Sequence, residues 1–408
     1  KRKIIMRILF LHGSSDLYGA SKIFLQTIKI VQQKGHNCIV VLSSEGPLVS
    51  ELESLGVQVE IANLGILRRK YFTPLGLFNR LHKWFHASIF IQKIINEQKI
   101  ELVYSNTAAV LIGGYAVSRY NKKYILNKEV DNTEAKVLHL WHLHEIITSP
   151  NYLHRFIKCC LVHWADKIIV VSEAVRAHWL NDNKENQKKL PKNSLSSKMN
   201  LIYNGIEPLA KSEKPNYRVK YAIPSDAIVI GMAGRIHYLK GQEYFIKIAQ
   251  CLLEDTSIYF IITGDPYAGQ ENLLTDMKAF IKEHQLEKQV IYTGYEAEMD
   301  CFYSAINILL LPSILPDSFP TVVLEAMQFG LPVVATEQGG AMEMIIADET
   351  GIFIPILDEV EAAKKIKTIL PEDKRKQMGA KGKERVAANY SAKAFEDNLV
   401  HLINNLKQ

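Results

Sequence analysis

The sequence lacks the long apolar runs of membrane-spanning proteins, and it contains few cysteines. Its 408 residues include no stretch of about 18 consecutive apolar residues, so the sequence predicts no transmembrane helix. The five cysteines are odd in number, and no two have CxxC spacing. This pattern favours a reducing compartment and argues against structural zinc. The chain also lacks low-complexity tracts and fixed-period repeats, which argues against disordered and solenoid classes.

The beginning of the chain resembles a signal peptide only superficially. A basic start is followed by the apolar stretch Ile8–Leu11, but this stretch meets His12 and Gly13 too early for a signal-peptide hydrophobic region. We therefore expect a first β-strand here. The chain as a whole is 48% apolar and 23% charged, which is ordinary for globular proteins, and its length predicts two or three domains.

Charge is distributed unevenly along the chain. Residues 1–200 contain 28 Lys and Arg against 15 Asp and Glu, a net charge of +13, whereas the remainder contains 21 against 28, a net charge of −7. A basic half indicates a polyanionic partner such as an anionic membrane or a lipid diphosphate, with scattered solubilising lysines as the alternative. No nucleic-acid-binding motif accompanies these charges, so we expect no nucleic-acid partner.

Strand-like apolar segments alternate with amphipathic helical segments in both halves of the chain. This alternation predicts an α/β fold with parallel sheets that carry helices on both faces. A polar stretch at 185–200 reads as an exposed loop, and Pro208–Pro224 reads as a linker. We predict two Rossmann-like domains, residues 1–207 and 208–385, facing each other across a cleft, and a final segment, 386–408.

The segment Pro316–Pro332 predicts an anion site at the start of a short helix. Asp317 or Ser318 is expected to cap this helix, and its first turn offers free backbone N–H groups to an anion. Glu325 lies about one turn inside an apolar run, so its carboxylate needs a partner such as a pair of ribose hydroxyls. A well-capped helix with two solvated acids is the alternative.

A second segment, Gly231–Gly241, places two cations beside a glycine-containing turn that follows a strand. Arg235 offers a planar fork for phosphate oxygens, and Lys240 offers a point charge. A diphosphate leaving group requires such neutralisation as its bond breaks. Two surface cations near a loop are the alternative.

Two further segments lie in the basic half. The Gly- and Ser-rich loop Gly13–Ser21 joins the first strand to the first helix and is either a phosphate cradle or an ordinary turn. The segment His139–Glu145 reads as a strand in which His142 and His144 share one face. His144 falls at its carboxyl end, where active-site groups collect. No third ligand has suitable spacing, so we expect no metal.

Together these segments resemble the retaining GT-B glycosyltransferases of family 4, the group with an E-x7-E motif. The resemblance spans most of the chain and is most specific in the C-terminal half. It implies a fold of two Rossmann-like domains whose final helix crosses back onto the first domain, and a reaction that needs no metal or other cofactor. The donor would be a UDP- or GDP-sugar, serving as substrate.

The resemblance also implies roles for individual residues. Arg235 and Lys240 would bind the donor diphosphate, Glu325 the ribose and Asp317 the transferred sugar. His144 would contact the donor sugar near the reacting carbon. Further donor contacts are implied at Gly19, Phe319, Pro320, Thr321 and Val322. One departure matters, because Asp317 stands where the family motif has Glu, and its side chain is one methylene shorter.

The segment Leu64–Ile95 interleaves basic residues with bulky aromatic ones, which is typical of an interfacial amphipathic helix. A core helix with inward-facing aromatics is the alternative. We expect a cytoplasmic enzyme, peripheral on the inner face of the membrane, that transfers a hexosyl-type sugar to a lipid-linked glycan in bacterial cell-surface polysaccharide synthesis. A non-catalytic nucleotide-sugar-binding scaffold and a two-domain nucleotide-sugar epimerase are the competing hypotheses.

Overall fold

The computed structural model describes residues 5–66, 73–126, 136–148, 150–180, 195–208, 217–253 and 257–406. The chain divides into two compact units. The first unit runs to Asn204 and also includes the residues from Phe395 onward, and the second unit is Gly205–Ala394.

A seven-stranded parallel sheet forms the centre of the first unit, in the order β3-β2-β1-β4-β5-β6-β7. Its strands are mostly buried apolar segments, as expected for a sheet covered by helices on both faces. The strands are β1 (Arg7–His12), β2 (Asn37–Leu42), β3 (Gln58–Ile61), β4 (Leu102–Asn106), β5 (Leu138–Leu143), β6 (Lys167–Val170) and β7 (Met199–Leu201).

Within the described residues, helices α1 to α6 connect these strands. They are α1 (Gly19–Gln33), α2 (Pro47–Ser54), α3 (Pro74–Glu97), α4 (Leu111–Leu126), α5 (Asn151–Trp164) and α6 (Glu173–Leu180). Helix α1 buries Phe24 and Ile28 in one apolar cluster beside the sheet, whereas α3 buries Ile91 and Ile95 in another. The helices thus cover the sheet in the layered arrangement of a Rossmann-like fold.

The second unit repeats this architecture with a six-stranded parallel sheet in the order β10-β9-β8-β11-β12-β13. Its strands are β8 (Ile228–Ala233), β9 (Ile258–Thr263), β10 (Val290–Gly294), β11 (Ile308–Leu311), β12 (Val333–Thr336) and β13 (Gly351–Ile354). Its helices are α7 (Tyr217–Lys220), α8 (Gln242–Leu252), α9 (Asn272–Glu283), α10 (Asp300–Tyr303), α11 (Thr321–Gln328), α12 (Ala341–Met344), α13 (Glu359–Lys367) and α14 (Glu372–Asn389). The predicted α/β class with two Rossmann-like units is confirmed.

The final helix, α15 (Ala392–Asn404), contributes to the core of the first unit. Phe395, Leu399, Leu402 and Ile403 are buried in the apolar cluster that also contains Phe24 of α1. The strands of the first unit are therefore packed partly by residues that follow the whole second unit in the sequence.

Several local expectations are corrected. The apolar run Leu201–Tyr203 alone predicts a short strand, but the strand is instead Met199–Leu201, because pairing with β6 sets its register. Within the expected linker Pro208–Pro224, Tyr217–Lys220 is helical, and residues 209–216 lie outside the described residues. Most of the expected polar loop at 185–200 also lies outside them. The sequence analysis did not identify β13, a short strand completed by pairing with β12.

In each sheet the strand order reverses between two neighbouring strands: β1 and β4 in the first unit, and β8 and β11 in the second. Connections on either side of such a point leave in opposite directions and open a crevice at the carboxyl ends of the strands, where ligands of this fold bind. The two reversal points therefore indicate where functional side chains should gather.

Candidate active site

Lys240 and Asp317 meet at the reversal point of the second unit. Lys240 follows β8 and Asp317 follows β11, yet the lysine Nζ lies 2.6 Å from Asp317 Oδ1. Ser313 Oγ donates to Asp317 Oδ2 at 2.7 Å. Both members of the ion pair are partly exposed, with side-chain exposures of 30% and 21%. An anionic ligand can therefore reach a lysine whose position is already fixed.

The loop that carries Arg235 and Lys240 is shaped by its neighbours. Gln242 Nε2 donates to the Arg235 carbonyl at 2.7 Å. Gly241 has a φ of 80°, and a side chain there would clash with the Pro312 carbonyl oxygen. The Arg235 guanidinium lies over the Tyr267 ring, 3.8 Å from its centroid. The ring limits the positions that the guanidinium can adopt, while a cation–π contact leaves its charge available to phosphate.

Asp317 does not cap the helix that follows it, which corrects the expectation from the sequence. Helix α11 begins at Thr321 with Pro320 at its N-cap position, and no side chain caps it. The reason is that the Asp317 carboxylate is already engaged by Lys240 and Ser313. The uncapped start of α11 leaves its first amides without the predicted side-chain acceptor.

Glu325 has the partner that its apolar surroundings require. The Tyr303 hydroxyl donates to Glu325 Oε2 at 2.7 Å. Burial, and then the Glu325 carboxylate, raise the pKa of Tyr303 well above its ordinary value, so the phenol stays protonated and remains a donor. No second donor to the Glu325 carboxylate occurs within the described residues, so this partly buried group retains acceptor capacity.

The reversal point of the first unit carries a connected set of polar side chains. His12 ends β1, Asn106 ends β4, and His144 follows β5 directly. Asn106 Nδ2 lies 3.1 Å from His12 Nδ1, and Asn106 Oδ1 lies 2.9 Å from His144 Nε2. All three side chains are buried, at 2%, 0% and 8% exposure. Of these three residues, only His144 was expected from the sequence to be functional.

The Gly- and Ser-rich loop after β1 is organised by Asp16. Its carboxylate accepts from Ser14 Oγ at 2.8 Å, from the Tyr18 amide at 3.1 Å and from Ser21 Oγ at 2.9 Å. Gly19 is the first residue of α1, and an added Cβ would meet no atom of the described residues within 4 Å. The space beside Gly19 is therefore open, and the donor contact that the resemblance implies there stays a prediction.

Burial keeps the histidines of this region neutral. It lowers the pKa of His12 to about 4, against the opposing effect of Asp16. Burial, together with His12, lowers the pKa of His144 to about 3. His142 shares the His144 face as predicted, with ring centroids 4.0 Å apart, but it is fully buried against Tyr104. Only His144 of this pair retains exposure.

Glu145 supports the end of β5. Its Oε2 accepts from the amides of Ala108 and His144, at 2.9 and 3.0 Å. Burial raises the pKa of Glu145, and these amide hydrogen bonds oppose that rise. The carboxylate therefore fixes the backbone that carries His144. Within the part of the chain that the structure describes, no group of three or more His, Cys, Asp or Glu is arranged to hold a metal ion.

The predicted site residues fall into two groups. Those of the second unit lie in helix α11 or in the segments that follow β8 and β11, and they are Arg235, Lys240, Asp317, Phe319, Pro320, Thr321, Val322 and Glu325. Gly19 and His144 lie around the reversal point of the first unit. Phe319 is buried at 7% exposure, so any contact that it makes with a ligand is through its backbone.

A comparison with known protein families identifies the second unit. Residues 213–385 match the family described as "Glycosyl transferases group 1". This match lies within the second unit, Gly205–Ala394. This match contains Arg235, Lys240, Asp317 and Glu325, so all four predicted charged residues of the second unit fall within the region that defines the family.

Curated relatives extend the comparison. The chain is 29% identical over 189 residues to the O-antigen biosynthesis glycosyltransferase WclY of Escherichia coli, which covers 46% of this chain and 47% of the relative. It is 26% identical over 260 residues to the lipopolysaccharide 1,2-N-acetylglucosaminetransferase of Salmonella typhimurium, covering 57% of this chain and 61% of the relative. The matches thus span about half of the length of these relatives.

Solved structures match over nearly the whole chain. The crystal structure of Anabaena HepE in complex with UDP and glucose has a TM-score of 0.78 at 21% identity, covering 98% of this chain and all of the other. The sucrose-phosphate synthase of Thermosynechococcus elongatus has a TM-score of 0.73 at 19% identity, covering 98% of this chain and 99% of the other. These likenesses establish the glycosyltransferase-type GT-B fold.

Proposed function

We propose that this protein is a glycosyltransferase that moves a hexosyl-type sugar from a UDP- or GDP-sugar to a glycan acceptor in the synthesis of a cell-surface polysaccharide. The family of residues 213–385 and the names of the curated relatives support this reaction class. The UDP and glucose bound to HepE support a nucleoside diphosphate sugar as donor. The lipid-linked nature of the acceptor and retention of anomeric configuration follow from the family 4 resemblance.

The observation that carries the proposal is the convergence of two segments separated by 77 residues. Lys240 Nζ, expected to bind the donor diphosphate, lies 2.6 Å from Asp317 Oδ1, expected to contact the sugar. The sugar and the diphosphate are joined by the bond that breaks. A cation and an acid held together are therefore suitably spaced to bind the two sides of that bond.

Arg235 and Lys240 would stabilise the departing nucleoside diphosphate. Negative charge develops on the leaving oxygen as the glycosidic bond breaks, and fixed cations lower the energy of that charge. Glu325 would accept hydrogen bonds from the ribose, and the first amides of α11 would meet the sugar and phosphate oxygens. The resemblance implies that His144 would contact the donor sugar near the reacting carbon. The resemblance implies no metal in this reaction.

A nucleotide screen tests the donor assignment. Thermal stability of the purified protein is measured with UDP, GDP and their sugars, without added metal. Stabilisation by one nucleotide family is the expected result, because a ligand that binds only the native state raises its stability. An absence of stabilisation with every nucleotide, at concentrations up to several millimolar, contradicts the proposed donor site.

Removal of the guanidinium tests the catalytic assignment. The Arg235→Ala variant is expected to lose transfer by about a hundredfold or more, since the loss of one charge-stabilising donor typically costs that much. Arg176→Ala is the control, because this arginine lies on helix α6 of the first unit, where its guanidinium contacts the Glu173 carboxylate. Near-normal transfer by the folded Arg235→Ala variant would contradict the assignment of Arg235 to the donor diphosphate.

We further propose that α3 binds an anionic membrane. The helix has two apolar faces: one buries Ala87, Ile91 and Ile94, whereas the other exposes four large apolar side chains. The exposed side chains are Phe78 (74%), Leu81 (64%), Phe85 (60%) and Ile89 (52%). The spacing of these four residues by three and four positions forms a continuous stripe along one side of the helix.

The charge of this helix suits an anionic surface. Arg80, Lys83 and Lys93 lie on α3, which contains no acidic residue before Glu97. The expected inward packing applies only to part of the segment, where Trp84 lies 4.1 Å from Tyr115 between ring centroids. The basic and aromatic residues at 68–72 lie outside the described residues. Among the described helices, none is long and apolar enough to span a membrane.

Vesicle sedimentation tests this surface. The protein is expected to bind vesicles that contain phosphatidylglycerol and to bind pure phosphatidylcholine vesicles much less. Phe78→Ser combined with Phe85→Ser should abolish most of the binding, because both interfacial side chains are lost. Val219→Ser with Val360→Ser is the control, since these exposed side chains lie in the second unit. Equal binding by both double variants contradicts the membrane surface.

A further inference from the structure

A hydrogen-bonded chain connects Asp16 to His144 through three buried side chains. Ser21 Oγ lies 2.9 Å from Asp16 Oδ1 and 3.0 Å from His12 Nε2. The chain continues from His12 Nδ1 to Asn106 Nδ2 and from Asn106 Oδ1 to His144 Nε2. We call this chain the Asp16 relay. It crosses the reversal point of the first sheet, because His12 ends β1 and Asn106 ends β4.

The carboxylate at one end sets the direction of every hydrogen bond in the relay. An ionised carboxylate only accepts, so Ser21 uses its single proton to donate to Asp16. His12 Nε2 must then donate to Ser21 Oγ. A neutral imidazole carries one proton, so His12 Nδ1 accepts from Asn106 Nδ2. The Asn106 carbonyl oxygen therefore faces His144 and accepts from its Nε2.

A second acceptor fixes the same direction independently. Asn106 Nδ2 also donates to the Ala20 carbonyl oxygen at 3.3 Å. A backbone carbonyl cannot donate, so the amide nitrogen of Asn106 must point toward Ala20 and His12, and its oxygen toward His144. The Asp16 carboxylate and the Ala20 carbonyl thus each require the same orientation of the Asn106 amide. Without them, its oxygen and nitrogen could exchange places.

We propose, building on the proposed function, that the Asp16 relay holds His144 as the neutral tautomer protonated at Nε2, so that Nδ1 accepts a hydrogen bond from a substrate hydroxyl. Asp16, Ser21, His12 and Asn106 are positioning residues, and His144 alone touches substrate. This contact selects a hydroxyl and disfavours a carboxylate or phosphate oxygen, because a lone pair repels an anionic acceptor.

Three observations support this assignment. Nδ1 of His144 has no hydrogen-bond partner within the described residues. This nitrogen is not fully buried, so it remains accessible to a ligand. The backbone of His144 is held in place, because its amide donates to the Glu145 carboxylate. The pKa of His144, lowered to about 3 by burial and by His12, keeps the ring neutral at physiological pH.

The tautomer can be observed directly. Long-range ¹H–¹⁵N spectra of the protein with ¹⁵N-labelled histidine distinguish protonated from unprotonated ring nitrogens, and His144→Gln identifies the resonances of His144. The expected spectrum at pH 7 has a protonated Nε2 and an unprotonated Nδ1. A protonated Nδ1 in the wild-type protein overturns the proposal, and this outcome requires no variant of the relay to fold.

Two substitutions of His144 test which nitrogen serves the substrate. Asn places an amide atom near the Nδ1 position, whereas Gln places one near the Nε2 position. We expect His144→Asn to retain at least tenfold more kcat/KM than His144→Gln, because the Asn oxygen can accept the hydroxyl proton. The opposite order, with both variants folded, overturns the proposal.

Removal of the relay tests its positioning role. Asn106→Leu removes both the oxygen and the nitrogen of the side-chain amide. We expect mixed His144 tautomers and at least a tenfold loss of kcat/KM. Asn121→Leu is the control, because Asn121 also makes two hydrogen bonds, with the Val137 amide and carbonyl, near the opposite end of β5. An unchanged His144 spectrum and activity in Asn106→Leu contradict the relay.

The two proposals fail in different ways. A wild-type protein that transfers no sugar from any nucleotide donor contradicts the proposed function, yet its spectrum still reports the His144 tautomer. An active enzyme with a protonated Nδ1 contradicts the relay and leaves the function in place.

Discussion

The two units use the same place in the same fold for different chemistry. Each sheet reverses its strand order between two neighbouring strands, and polar side chains gather at the carboxyl ends there. In the second unit these are charged and partly exposed, as in the Lys240–Asp317 pair. In the first unit they are neutral, buried and joined by hydrogen bonds, as in His12 and Asn106. The topology fixes the position of a site, and its residues determine what the site can do.

This difference follows from how solvent exposure and burial affect the charge of a side chain. An exposed cation remains charged and can exchange one anionic partner for another, which suits the binding of a diphosphate. A buried imidazole loses its proton, because burial disfavours the charged form, and its remaining lone pair then acts as a directed acceptor. We therefore expect His144 of the first unit to recognise a hydroxyl group and Lys240 of the second unit to recognise charge.

The largest difference between the two units is expected in acid, which should unfold the first unit before the second. The buried histidines of the described residues all lie in the first unit, and they are His12, His36, His139, His142 and His144. Burial lowers the pKa of His12 and of His139 to about 4 from an ordinary value of 6.5. The unfolded chain therefore binds more protons between pH 6.5 and 4, so the free energy of unfolding falls as the pH falls through this window.

The expected loss from His12 and His139 is on the order of 3 kcal/mol each by pH 4. Tryptophan fluorescence isolates the first unit, because the chain's four tryptophans, Trp84, Trp141, Trp164 and Trp179, all belong to it. At low pH the fluorescence transition should occur at a lower temperature than the last transition in far-ultraviolet circular dichroism, which reports both units. Joint movement of both transitions would contradict the assignment of acid sensitivity to the first unit.

A smaller effect is expected from Tyr303→Phe, which tests the role of the Glu325 carboxylate in the second unit. The substitution removes the hydroxyl that orients Glu325 and leaves the ring in place. We expect the donor KM to rise by roughly three- to tenfold with little change in kcat, because a ground-state binding group is less well held. Steady-state kinetics with varied donor measures this split.

Tyr244→Phe is the matched control for Tyr303→Phe. Tyr244 is equally buried, and its hydroxyl also makes hydrogen bonds, with the Pro355 carbonyl and the Asp358 amide. This variant should lose stability without a change in donor KM. Equal donor KM values in the two variants would show that Tyr303 serves the fold alone.

The smallest expected effect concerns the ring beneath Arg235. Tyr267→Ala removes the surface on which the guanidinium lies, and a partly exposed cation–π contact contributes about 0.5–1 kcal/mol. We expect a two- to fivefold increase in donor KM. Tyr267→Phe keeps the ring and should leave donor KM unchanged, and a full effect from Tyr267→Phe would instead implicate the phenolic hydroxyl.

The sequence was sufficient for the elements that depend on local pattern. The first strand expected at Ile8–Leu11 lies within β1, because this short apolar run stands between the polar residues Arg7 and His12. It was insufficient where tertiary pairing decides. β13 is an ordinary four-residue segment until it pairs with β12, and the Asp317 carboxylate turns from the expected helix cap to Lys240, a residue 77 positions earlier.

The same limit applies to the candidate site. Local sequence indicated His144, since it follows an apolar strand and has another histidine on its face. His12 and Asn106 also stand at strand ends, but their importance arises only when β1 and β4 become neighbours. The rule that active groups gather at the carboxyl ends of parallel strands, applied to every strand, would have found both.

The path of helix α15 constrains the order in which this chain can be made and folded. A ribosome releases residues in sequence, so the first unit emerges early but waits for Phe395, Leu399 and Ile403 to complete its apolar cluster. The second unit has all of its own strands by then. The part of the protein that is synthesised first is therefore the part whose apolar core is completed last, so its apolar surface stays exposed for longest during synthesis.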